Sequence, residues 1–264
     1  MTEICNDLIF DLGMHDGQDT EYYLKKGFRV VAVEANAALV AQAAERFAEA
    51  IADGRLVILN VAVADRNAEF EFYVNGQNSK WSSIHKGWGA RGVRGFETTT
   101  VQGRPVEDIV ADHGVPYYLK IDIEGADLTA LNSVWTFPAR PCFISVEGGG
   151  PRFLDQFAAL GYDRFAVVNQ AAVPEMRPPN PPREGRAVSH SFPMGASGPF
   201  GRDIEGPWMT HDAVVAERRA FRETMAEIER RFEGDPMANV KAMRERNRLG
   251  LGWYDVHATR AECL

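Results

Sequence analysis

Through the first two-thirds of this chain, short apolar runs rich in Val, Ile and Phe alternate with stretches of helical period. Runs at about 7–12, 29–35 ("RVVAVEA") and 55–64 ("RLVILNVAVA") predict three strands. A helix over 17–26, stopped by Gly27, lies between the first two, and the Ala-rich "AALVAQAAERFAEAIADG" predicts one long helix ending at Gly54. The alternating "EFEFYVN" and "FETTTVQG" predict an antiparallel side pair around a loop containing Trp81 and Trp88. A helix near 105–113, the strand "YYLKIDI", a helix at about 126–135, the strand "CFISVEG", the helix "PRFLDQFAALG" and a strand near 162–169 follow. This alternation requires crossover connections and a parallel sheet covered on both faces, the α/β doubly wound plan.

The pattern then changes. "VPEMRPPNPPREG" and a Gly/Ser/Pro-rich stretch from Ser189 to Pro207 disfavour both helix and central strand, and predict a long loop or lid. "HDAVVAERRAFRETMAEIERRFEG" carries Val214, Val215, Phe221, Met225, Ile228 and Phe232 at helical intervals. The terminal "GWYDVHATR" alternates like a strand. We expect a single domain: a Rossmann-like core over about 1–170, a loop and helix insertion over about 171–250, and a final strand over about 251–259. That strand returns to a mostly parallel, seven-stranded sheet as its antiparallel member.

The chemistry concentrates in "DLIFDLGMHDGQDTEYYLKKG", a strand, a glycine-flanked turn and a short helix. A dinucleotide turn reads G-x-G-x-x-G, with bare amides facing pyrophosphate. Here the turn is "GMHDG", and Asp16 and Asp19 would set carboxylates where phosphates belong, the two reading as a helix-capping pair ahead of direct ligand contacts. A ligand with a cationic end fits better, and S-adenosylmethionine, with its ammonium and sulfonium, is the cofactor expected. Asp11, closing the first strand, is the expected acceptor for the ammonium. Glu34 stands 21 residues after Gly13, the spacing at which an acid reaches ribose hydroxyls. Asp122 should end a strand lying beside the first, at the point where strand order reverses, with an ion pair to Lys120 as the rival reading. The "NVAVAD" stretch, Ala62 included, offers small side chains to the adenine, with Asp65 as acceptor for its amino group.

Composition narrows the partners. A net charge of −8 and a pI near 5.3, without a basic stripe, exclude nucleic acid and anionic membrane surfaces as expected partners. The apolar runs fall far short of the roughly 20 residues that cross a bilayer. "MTEICNDLIF" enters the first strand without signal-peptide features, so a cytoplasmic protein is expected. Cys5, Cys142 and Cys263, without metal spacing, read as reduced bystanders.

Taken in order, "FDLGMHDGQDT", "VVAVEAN", "ILNVAVAD", "SSI" and "LKIDIEGAD" resemble the FkbM-type family of adenosylmethionine-dependent methyltransferases, over roughly residues 7 to 150. The "DIEGA" element is the most family-specific part. The resemblance implies a class I methyltransferase fold that methylates hydroxyl oxygens of sugars, glycans or secondary metabolites. It carries over Asp11, Gly13, Gly17, Glu34 and Asp122 as cofactor contacts, with Ser82–Ser83 near the site. His15 departs from the smaller polar residue or Asn common in such turns, and joins the cofactor-binding candidates by position.

An alcohol acceptor must lose a proton, and histidine is the natural base near neutral pH. His85 in "SSIHKGWG" and His190 in "VSHSFPMG" are the leading candidates, and Glu147, ending the fifth strand, is the carboxylate alternative. His113, His211 and His257 read as structural, and no spacing demands a metal. Glu124 and Asp127 read as helix caps or site acids, while Trp81, Trp88, Trp208 and Phe192 could stack on an acceptor or merely pack. N- or carboxyl methylation of a small molecule, and a catalytically silent adenosylmethionine-binding module, are the alternative readings; a dehydrogenase is a distant third.

Overall fold

The computed structural model describes residues 3–90, 96–148 and 150–264. Strand β1 (Ile4–Leu12) leads through the glycine turn into α1 (Gln18–Lys26), then β2 (Arg29–Val33), α2 (Ala37–Arg46), α3 (Ala48–Ala52) and β3 (Leu56–Leu59). Next come β4 (Ala62–Val63), β5 (Glu69–Asn75), the short α4 (Lys86–Gly89) and β6 (Phe96–Arg104). The second half of the core is α5 (Val106–His113), β7 (Val115–Ile121), α6 (Asp127–Ser133), β8 (Phe143–Glu147), α7 (Pro151–Ala159) and β9 (Arg164–Asn169). A long segment then reaches α8 (His211–Arg231), α9 (Ala238–Arg248) and β10 (Tyr254–Thr259).

Seven strands form one sheet in the order β3-β2-β1-β7-β8-β10-β9. Every pairing is parallel except those of β10, which runs antiparallel to both β8 and β9. The doubly wound sheet with an antiparallel last strand is therefore as expected. The chain turns outward on both sides of β1 and β7, so the crevice at the reversal lies above these central strands. One face buries Phe10, Val31, Leu119 and Ile144 against Ile109, Leu131 and Phe157 of α5, α6 and α7. The other buries Ile9, Val30 and Tyr118 against Tyr22 and Tyr23 of α1. No helix among the described residues is long and apolar enough to cross a membrane.

Three elements differ from expectation. The Ala-rich stretch is two helices, broken at Phe47, whose ring is drawn under the glycine turn: a Cβ on Gly17 would lie 2.6 Å from it. The third strand ends at Leu59, because the Asn60 amide donates to the Glu34 and Ala35 carbonyls and turns the chain away. Ala62 and Val63 then pair with Gly103 and Arg104, in a separate three-stranded sheet with the expected antiparallel β5–β6 ribbon. Finally, α9 was not anticipated; its apolar residues are too sparse to show a helical stripe.

The proline-rich segment is a fastened cover rather than a free lid. Val173, Phe192, Ala196, Phe200 and Ile204 are buried in the same cluster as Tyr22, Tyr23 and Tyr118. Beneath them Lys26 Nζ meets Asp203 Oδ2 at 2.7 Å, both side chains fully buried. Asp203 Oδ1 accepts from the Arg183 and Glu184 amides, and Glu184 Oε1 accepts from Tyr117 Oη at 2.8 Å.

Candidate active site

A cavity of about 570 Å³ opens where the C-terminal ends of β1, β2, β7 and β8 meet. That volume is ample for a nucleoside-sized ligand and part of a second molecule. The sequence GMHDG makes its floor. The amides of Gly13 and Met14 both donate to the Val33 carbonyl at 3.0 Å, which knots the turn to the tip of β2. Gly13 has φ +86°, and a Cβ there would lie 1.8 Å from the Asp122 carbonyl oxygen. Only glycine lets the turn pass this close to the end of β7, and from there Gly13 lines the cavity.

Glu34 closes one end of the cavity. Its Oε2 accepts from the His15 amide at 2.9 Å, and its Oε1 from the Asn36 amide at 2.7 Å. His15 presents that amide by adopting φ +52°, an uncommon conformation for a non-glycine residue. Burial raises the Glu34 pKa, and the two amide bonds work against the rise. Each oxygen retains a lone pair for a further donor such as a ribose hydroxyl. The His15 ring bonds Ser79 Oγ at 2.8 Å, and Ala62, His15 and Glu34 all line the cavity.

At the centre stands Lys120, on β7 and buried. Its Nζ donates to Asp11 Oδ1 at 3.0 Å and to the Gly13 carbonyl at 3.3 Å, with Asp19 Oδ2 at 3.5 Å and Asp122 Oδ2 at 3.7 Å. Burial works against its charge, but these three carboxylates hold the ammonium's pKa well above its ordinary value. The acidic turn thus carries an internal counterion: Lys120, expected at most as an ion-pair partner of Asp122, lies nearer to Asp11 and Asp19. Asp11 is fully buried, bonded to Lys120 and to Thr20 Oγ1 (2.6 Å), and lies beneath the cavity instead of lining it. Asp19, expected as half of a capping pair, accepts from the Ser197 amide at 2.8 Å and so ties the cover to α1. The cap of α1 is Gly17, without a side-chain bond, and Gly17 does not line the cavity: its role is to admit the Phe47 ring.

The opposite wall is acidic. Asp122 and Glu147 line it, joined by Asp255, which sits directly across from Glu147 in the β8–β10 register. The Asp122 carboxylate, burial and Asp255 together push the Glu147 pKa up to about 9. Burial first, then Asp122, raises Asp255 well above its usual range. In the cavity as it stands, Glu147 is therefore protonated at neutral pH. Gln170, Trp253, Trp81 and Met194 border the same space, and Trp253 and Met194 are exposed there.

The two histidine candidates do not reach it. His85 is exposed at the start of α4, and its amide donates to Ser83 Oγ. His190 packs on Tyr22 and approaches Lys25 Nζ at 3.5 Å, outside the cavity; burial and Lys25 lower its pKa. Asp65 is exposed and paired with Arg66. Asp127 does not cap its helix, whose N-cap is Ala126 without a side-chain bond; it accepts instead from the Ile123 and Gly125 amides of the preceding turn. Ser82 and Ser83 line the cavity as expected, whereas Phe192 and Trp208 are packing residues. Among the described residues, no group of three or more His, Cys, Asp or Glu side chains is placed to hold a metal ion.

Lys120 and Asp255 were missed as site residues. Both carried a signal: a charged side chain within an apolar strand run must find a partner or a cavity.

The sequence profile described as Methyltransferase FkbM domain matches residues 11–166. No curated protein matches the chain. Among solved structures, an FkbM methyltransferase from Methylobacillus flagellatus KT is 16% identical, with a TM-score of 0.35, over 56% of this chain and 34% of that one. A SAM-dependent methyltransferase from Geobacter sulfurreducens, crystallised with S-adenosyl-L-homocysteine, is 12% identical with a TM-score of 0.35, over 97% of this chain and 85% of that one. The 1,6-didemethyltoxoflavin-N1-methyltransferase of Burkholderia thailandensis is 16% identical with a TM-score of 0.32, over 61% and 62% of the two chains. The chain thus spans about a third of the Methylobacillus protein, and none of the three is similar enough to inform the site.

Proposed function

Because the chain belongs to the FkbM methyltransferase domain family over residues 11–166, we propose that it is an S-adenosylmethionine-dependent methyltransferase acting on a hydroxyl oxygen of a sugar, glycan or secondary metabolite. The observation that carries this reading is the pairing, across one cavity, of a ribose-type acceptor at Glu34 with an acidic wall at Asp122, Glu147 and Asp255. The residues present fit the cofactor: Gly13, which lines the cavity, holds the turn against the Asp122 carbonyl where any Cβ would collide, and the net acidic lining favours a cation over pyrophosphate.

When bound, adenosylmethionine supplies the methyl group and, as a sulfonium, its own leaving group. Glu34 holds the ribose, with His15 fixing the carboxylate through its backbone. Ala62 provides small surface for the adenine. Asp122 takes the cationic methionine end, the role expected of Asp11, whose oxygens are committed to Lys120 and Thr20. Lys120 keeps Asp11, Asp19 and the glycine turn in register. Positioning the acceptor oxygen in line accounts for much of the rate.

Glu147 is the assigned base. Positive charge beside Asp122 would offset the field that keeps Glu147 protonated, and the Glu147 carboxylate would then take the hydroxyl proton. Trp253 and Trp81 offer flat faces to a sugar or ring. An anionic acceptor would face the acidic wall, which disfavours carboxyl methylation. A cytoplasmic protein acting on a small molecule or glycan, as one domain with its cover, completes the proposal.

The test is transfer of an isotope-labelled methyl group from adenosylmethionine to a panel of sugars, phenols and cell extracts. Label appearing in a hydroxyl-bearing product supports the reading. Tight cofactor binding with no transfer to any acceptor would instead support a silent binding module.

A further inference from the structure

At the far end of the sheet from the cavity, Cys142 and Cys263 face each other with Sγ to Sγ at 2.8 Å. They are 121 residues apart in sequence, and both are partly exposed. Cys142 immediately precedes β8, while Cys263 lies in the C-terminal 3-10 turn Ala261–Cys263 that follows β10. Cys142 and Glu147 stand at opposite ends of β8, five steps apart, roughly 17 Å of extended chain.

Both sides of the contact are held. Thr259 Oγ1 donates to the Cys142 carbonyl at 2.7 Å, and the Ala261 amide donates to Asp163 Oδ1 at 2.9 Å. Arg260 Nη1 reaches the Arg140 and Pro141 carbonyls at 3.4 and 3.3 Å, and its Nη2 lies 3.7 Å from Cys263 Sγ. A guanidinium beside one sulfur, and a second thiol within hydrogen-bond distance of it, are the surroundings that favour a thiolate. The Cys142 hydrogen bond, then Arg260, hold the Cys263 thiol down to about 7 against burial, while Cys142 is pushed up.

We propose that Cys263 and Cys142 form a redox-active dithiol, with Cys263 as the attacking thiol and Cys142 as its resolving partner, oxidised by a small-molecule disulfide such as glutathione disulfide. The Cys263 thiolate attacks one sulfur of glutathione disulfide, whose S–S bond breaks to release a glutathione thiolate. Cys142 then gives its proton to solvent and attacks Cys263 Sγ of the mixed disulfide, releasing the second glutathione. Two protein thiols are oxidised and one glutathione disulfide is reduced to two thiols. The product ties the C-terminal turn to the head of β8. The closed loop contains β8, α7, β9, the cover, α8, α9 and β10, and from within it Glu147, Gln170, Met194, Ser197, Trp253 and Asp255 line the cavity.

The inference is independent of methyl transfer and is tested without it. The full chain is equilibrated in glutathione buffers of graded oxidation, alkylated, and measured as an intact mass. The expected result is joint loss of two alkylatable thiols with Cys5 left free, a protein about 2 Da lighter before alkylation, and a thermal midpoint several degrees higher that dithiothreitol reverses. Cys142→Ser should instead accumulate a stable glutathione adduct on Cys263. If that variant does not fold, peptide mapping of the oxidised wild type must yield the linked Cys142–Cys263 pair. Three alkylatable thiols persisting across the oxidising buffers, or linkage to Cys5 or between chains, would overturn the proposal.

Discussion

Lys120 Nζ donates to Asp11 Oδ1 at 3.0 Å in a place where both side chains are sealed from solvent. Removing one partner of a buried pair strands the other charge, which costs about 3–5 kcal/mol. Lys120→Met is therefore expected to lower stability by that amount in urea titrations. Adding Asp11→Asn should recover part of the loss, because it removes the stranded carboxylate.

Gly13 and Gly54 separate two costs that positive φ alone confounds. Both have φ near +80°, at +86° and +73°, yet a Cβ on Gly54 meets nothing within 4 Å. Gly54→Ala should cost only the backbone term, about 1–2 kcal/mol. Gly13→Ala adds the overlap with the Asp122 carbonyl. It should cost more in denaturant titrations, and should weaken cofactor affinity more than tenfold, about 1.4 kcal/mol, by calorimetry.

Glu147 gives a pH signature. Its pKa is raised from 4.5 to about 9, so folding takes up a proton there. That group costs nothing below the unfolded value and progressively more as pH rises toward the folded one. Glu147→Gln is thus expected to leave stability unchanged near about pH 4 and to raise it near about pH 8. One pKa unit, about 1.4 kcal/mol, is a floor for the effect. The same variant should lose methyl transfer, so that the stabilising change removes the base.

Lys26 and Asp203 clasp the cover to α1. Asp203→Ala strands the Lys26 ammonium and frees the Arg183 and Glu184 amides. Hydrogen exchange should accelerate through residues 183–204, with a loss of about 3–5 kcal/mol in stability.

Much of this was legible in the sequence, and the failures have physical causes. The glycine turn, the acid at the tip of β2 and the antiparallel return of β10 all follow from local pattern. What a pattern does not carry is side-chain direction. Asp11 and Asp122 both end strands, yet the first points into the core toward Lys120 and the second into the cavity. Histidine is favoured as base on its intrinsic pKa, but His85 and His190 lie outside, whereas Glu147 lines the cavity with its pKa raised by the like charges around it. The proline-rich segment looked like a lid because its apolar residues follow no period; Phe192 and Phe200 are buried individually. The Cys142–Cys263 contact spans the insertion, so spacing could not reveal it.

The most direct test of the account is a calorimetric titration of adenosylmethionine into the wild-type protein and Glu34→Ala in parallel. Saturable binding by the wild type, weakened more than tenfold or about 1.4 kcal/mol in the variant, is the predicted result. Absence of binding by the wild type, or equal affinity in the two proteins, would contradict it.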